Sequence, residues 1–99
     1  MTNEELNTII VKKTIVIGLK MAETLVAMCE INKLADELEN LTGYEVNKFK
    51  STTEKEANET INDVDRLIDQ FDNTLAPDTR LLYRQAVGAL RIRLMYVER

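Results

Sequence analysis

Ninety-nine residues, 44% apolar and 30% charged, describe one soluble globular domain, and one proline with three glycines supplies too little turn chemistry for a β-sandwich or barrel. The lack of histidine removes Ser-His-Asp and Cys-His catalysis and the usual zinc and haem ligand sets, and a single cysteine, Cys29, precludes an internal disulfide. A net charge of −4 argues against direct nucleic-acid binding, which needs a concentrated positive field.

The pattern along the chain is helical throughout, and it predicts an all-α fold of three or four helices in an up-down bundle. Thr2-x-x-Glu5 is a capping box that starts a first segment over about 3–41, and Thr42-Gly43 supplies the stop. The opening Thr2-Asn3-Glu4-Glu5 is acidic where a signal peptide is basic, so the expected compartment is the cytoplasm. Residues 9–31 are oily, yet Lys12, Lys13, Lys20, Glu23 and Glu30 interrupt them and argue against a membrane span.

Two apolar lines run along this segment. One has heptad-like 4-3 spacing through Ile10, Thr14, Ile17, Met21, Thr24, Met28, Ile31, Ala35 and Leu38. The other contains Val11, Ile15, Ala22, Val26 and Cys29, with Gly18, Ala22 and Cys29 small enough for a close helix approach. An unbroken helix here is roughly 57 Å long, against roughly 34 and 30 Å for the two that follow. Either the segment breaks near Gly18 and closes a four-helix bundle, or a second copy covers its surplus apolar surface. A glycine within a helix costs only about 1 kcal/mol, which favours the homo-oligomer with Ile10, Ile17, Met21, Met28, Ile31 and Leu38 as its seam.

Residues 44–52 read as a polar connector with one aromatic, Tyr44. Thr53-x-x-Glu56 opens a second helix over 53–75, whose Ala57, Thr60, Ile61, Val64, Leu67, Ile68, Phe71 and Leu75 share one face. Ala76-Pro77-Asp78 breaks it, and a third helix spans 79–97. Apolar residues cover most of the third helix's circumference, which suggests a central position.

Charge is uneven: 54–78 carries −6 and 79–99 carries +4. Arg80, Arg84 and Arg91 fall within about 40° on the third helix, while Arg93 lies on its apolar side. Planar guanidiniums suit a phosphate or carboxylate, so these four arginines are candidates for binding a small anion such as a nucleotide. The plainer reading pairs them with the acidic second helix, and it carries the greater weight. On that helix, Glu56, Glu59, Asp63 and Asp69 form a candidate partner-facing surface, or alternatively a mimic of a nucleic-acid backbone. Carboxylate pairs at i, i+4 (Asp65/Asp69 and Glu59/Asp63) lack the histidines of a di-metal bundle, so no metal or cofactor is expected. Cys29, in an apolar helical setting, reads as a buried inert thiol.

No family is recognised from the residues. Met28-Cys29-Glu30-Ile31, Lys33-Leu34 and the Leu38/Leu41 spacing, followed by a Leu/Arg-rich helix after a Pro-Asp turn, resemble parts of small helical phage proteins that sequester cyclic oligonucleotide signals. The likeness spans under half the chain, and the long acidic helix departs from it. The resemblance implies sequestration of a nucleotide, in line with the arginine reading. The residues themselves point to a small non-catalytic helical oligomer that engages another protein. That reading suits a regulator or inhibitor carried by a phage or other mobile element.

Overall fold

The computed structural model describes residues 1–99 as three helices and no strand: α1 (Asn3–Thr42), α2 (Glu54–Gln70) and α3 (Pro77–Glu98). The capping chemistry sets the ends of α1. The Thr2 hydroxyl accepts the Glu5 N–H at 3.1 Å. At the far end Gly43 takes φ 74°, and its N–H donates to the Glu39 carbonyl at 2.8 Å. That left-handed turn is one only glycine enters without a steric penalty.

α1 passes through Gly18 without a break, which removes the four-helix alternative. The glycine serves packing instead. A Cβ at this position would meet Cγ2 of Val64 at 2.9 Å, so the missing side chain is what admits α2 so closely.

α2 starts on the Thr53 cap, whose hydroxyl accepts the Glu56 N–H at 3.2 Å, and ends at Gln70 rather than near Leu75. Residues 71–74 form tight turns in which the N–H groups of Thr74 and Leu75 both donate to the Phe71 carbonyl. Asp72, Asn73 and Thr74 favour such turns, and Leu75 still reaches the interior at 4% exposure. α3 begins at Pro77, two residues earlier than its pattern predicts. Proline's missing N–H costs nothing at the first helical position.

One face of each helix builds a shared core. α1 contributes Val11, Ile15, Ala22, Val26 and Cys29, the line without heptad spacing. α2 adds Ala57, Ile61, Val64 and Ile68, and α3 adds Tyr83, Val87, Leu90, Leu94 and Val97. No buried side-chain nitrogen or oxygen lacks a hydrogen-bond partner.

The helix lengths do not match. At 1.5 Å per residue α1 is about 60 Å long, while α2 and α3 are about 26 and 33 Å. The long axis of the molecule is correspondingly 60 Å. None of residues 3–10 is buried, and α1 first enters the core at Val11. The radius of gyration, 16.8 Å, exceeds the roughly 12.6 Å of a compact chain of this length. No helix is long and apolar enough to cross a membrane.

Candidate functional site

Every large apolar side chain that α2 carries is at least half-buried, whereas α1 and α3 leave many exposed. On α1 half of the exposed ones lie on the heptad line, Ile10 53%, Ile17 60%, Met21 58%, Ile31 46% and Leu38 47%, whereas Ala35 of that line is buried; Leu6, Ile9, Val16, Leu34 and Leu41 are exposed off it. Met28, the sixth seam residue, is half-buried, with its sulfur 4.0 Å from the Thr52 hydroxyl. Using 100° per residue, this line points about 140° away from the core-facing line of the same helix. The two polar members, Thr14 and Thr24, donate their hydroxyls to the carbonyls of Ile10 and Lys20, at 2.7 and 2.8 Å. With those protons spent on its own helix, the seam carries no hydroxyl that needs an outside acceptor.

α3 does not occupy the centre that its apolar circumference suggests. Its outer side exposes Leu81, Leu82, Ile92, Met95 and Tyr96. Leu81, Gln85, Gly88, Ile92 and Met95 repeat the 4-3 spacing, a signal present in the sequence that was masked by apolar residues on all sides. Between α1 and α3 lies an open groove lined by Glu30, Lys33, Leu34, Glu37, Arg93 and Tyr96.

The four candidate arginines each meet a group of their own chain. Arg80 donates to the Asp72 carbonyl at 3.0 Å and pairs with its carboxylate at 3.3 Å. Arg84 reaches Asp69 at 2.7 Å and Asp72 at 3.4 Å, and these contacts raise its pKa, the Asp69 hydrogen bond most. Arg91 donates to the Asn62 side chain at 2.9 Å and to Asp65 at 3.4 Å. Arg93, the one on the apolar side, grips Glu30 of α1 through both Nε and Nη2, which likewise raises its pKa. Together they form a zipper between helices.

The same contacts thin out the acidic surface. Asp69 is held by Arg84, and Asp63 pairs with Arg66 on its own helix at 3.1 Å. Glu56 and Glu59 remain exposed, without a salt-bridge partner. No group of three or more metal-ligating side chains comes together. Cys29 is 3% exposed, and burial raises its thiol pKa, with Glu54 adding to the effect.

One arrangement carries no signal in the periodicity. The connector folds back on the end of α1. Asn32 and Phe49 exchange two hydrogen bonds, of 2.7 and 3.0 Å. Lys48 bridges Asp36 and Glu39, and Glu39 also accepts the Val46 N–H at 2.9 Å. The Lys48 hydrogen bond, then that of Val46, holds the Glu39 carboxyl below the usual range. Asp36, followed by Glu39, raises Lys48. Lys33 of α1 donates to the carbonyls of Tyr96 and Arg99 and so caps the end of α3. No family of known proteins, no curated protein and no solved structure matches the chain.

Proposed function

We propose that this protein is a non-catalytic, self-associating interaction module: a three-helix up-down bundle that works as a homo-oligomer through the outer face of α1. The observation that carries this reading is surface area. The chain exposes 6915 Å². A compact monomer of its 11.4 kDa exposes about 5,800 Å², and the excess of about 1,100 Å² exceeds the roughly 800 Å² that each partner gives to a standard interface. The excess belongs with a row of half-exposed Ile, Met and Leu at coiled-coil spacing, the kind of patch that a monomer seldom leaves open. The stripe on α3 gives the assembly a second apolar surface, for a different protein. The intrachain partners of Arg80, Arg84, Arg91 and Arg93 weigh against the anion-binding reading, and those of Asp63 and Asp69 against the acidic-mimic reading.

Light scattering tests the proposal. The expected molar mass is a multiple of 11.4 kDa at micromolar concentration. The double variant Ile17→Glu/Ile31→Glu is expected to fall to a monomer that keeps its helical circular dichroism, because both positions lie outside the core. A wild-type chain that stays monomeric across that range refutes the reading.

A further inference from the structure

Building on the self-associating reading, we infer that the partner on α1 is an antiparallel second copy, paired end to end so that residue i lies across from residue 45 − i. Three features of α1 bear on it: a 4-3 seam stacks in either orientation, so spacing and extent set the register and charge sets the orientation. The first is the spacing of the seam. Its members at 10, 14, 17 and 21 match those at 35, 31, 28 and 24, each pair summing to 45. An antiparallel two-fold in this register stacks Thr14 on Ile31, Ile17 on Met28 and Met21 on Thr24, in layers that the axis repeats, while Ala35, across from Ile10, is already covered by its own chain.

The second feature is extent. α1 runs from Asn3 to Thr42, whose numbers also sum to 45, so the register that matches the seam overlaps the two helices completely. A shift by one heptad keeps the layers but strands a turn or more at each end. The overlap also gives residues 3–10, none of which is buried in its own chain, the far end of the partner's α1 to lie against.

Charge is the third. Residues 3–22 of α1 carry +1, through Lys12, Lys13 and Lys20 against Glu4 and Glu5. Residues 23–42 carry −4, with five acids against Lys33, and stay at −2 once Arg93 and Lys48, which pair with Glu30, Asp36 and Glu39, are counted. A parallel pair sets the acidic halves side by side, whereas the antiparallel pair sets each against a +1 half. Lys13 and Lys20 flank the seam and so bring the positive charge of one copy to the acidic half of the other.

Disulfide trapping separates the outcomes. In a Cys29→Ala background, one chain carries Thr14→Cys and another carries Ile31→Cys, both positions being exposed. Mixed and oxidised after exchange, the two are expected to form a heterodisulfide, and neither variant alone is expected to cross-link. In the proposed register the two copies of position 14 lie 17 residues apart along the axis, about 26 Å, beyond the roughly 7 Å a disulfide spans. Cross-linking of the Thr14→Cys chain with itself means a parallel pair, which overturns this inference and leaves self-association standing. An oligomer by light scattering that forms no heterodisulfide overturns the register in the same way. A monomer overturns both readings.

Discussion

Gly18→Ala gives the sharpest test of how α1 and α2 meet. Replacing glycine by alanine inside a helix gains about 0.8–1.0 kcal/mol of propensity where space allows. Gly88 in α3 is such a place, since a Cβ built there has nothing within 4 Å. At Gly18 the new methyl sits 2.9 Å from Cγ2 of Val64, whereas ordinary contact begins at 3.4 Å. Val64 is β-branched and 2% exposed, so it has no free rotamer to retreat into and the helices must separate. Overpacking of this kind costs about 1–3 kcal/mol. Gly18→Ala is therefore expected to fall below Gly88→Ala by about 1–3 kcal/mol, a Tm gap of about 4 °C or more. Urea titrations followed by circular dichroism, at matched protein concentration, read the difference. Adding Val64→Ala is expected to remove the penalty specific to Gly18→Ala, which a double-mutant cycle isolates as a coupling between the two sites. Equal stabilisation by the two glycine replacements would refute the close-approach argument.

Arg93→Met is expected to cost about 0.5–1 kcal/mol once screening at this partly exposed pair is allowed for. Most of that cost should disappear in a Glu30→Gln background, as thermal melts of the four variants would reveal. A full cost in both backgrounds would mean that the arginine acts through packing alone. The connector strap should depend on pH in both directions. Glu39 has its folded pKa lowered, so its contribution holds above the ordinary glutamate value and is lost as pH falls below about 4. Lys48 has its folded pKa raised, so its contribution holds below the ordinary lysine value and is lost as pH rises beyond about 10.4. Amide exchange at Val46 and Phe49 should speed up, relative to the core of α2, at both extremes. Unchanged relative protection at low pH would remove the Glu39 role.

The sequence alone determined the helices and the inward face of α2, because both are local properties. Caps at Thr2, Thr53 and Gly43 act over three or four residues, and the apolar periodicity of α2 leaves it only one face to bury. α1 was harder, since it carries two apolar lines and periodicity cannot rank them. Tertiary structure gave the core to the line of Val11, Ile15 and Val26, the one that contains Gly18, because only there can α2 approach without meeting a side chain. The heptad line was left facing out except at Met28, which is half-buried, and Ala35, which is buried. On α3 the same ambiguity misled: apolar residues on all sides suggested a central helix. With only two neighbours to cover it, the side bearing Leu81, Ile92 and Met95 stays in water. The arginines could be read toward a ligand or toward α2, and the choice rested on the short turn that brings Asp65, Asp69 and Asp72 within reach. The strap of Asn32, Glu39 and Lys48 had no periodic signature, because it joins a helix to an irregular segment through side-chain hydrogen bonds. Contacts of that kind exist only once the backbone has brought the two together.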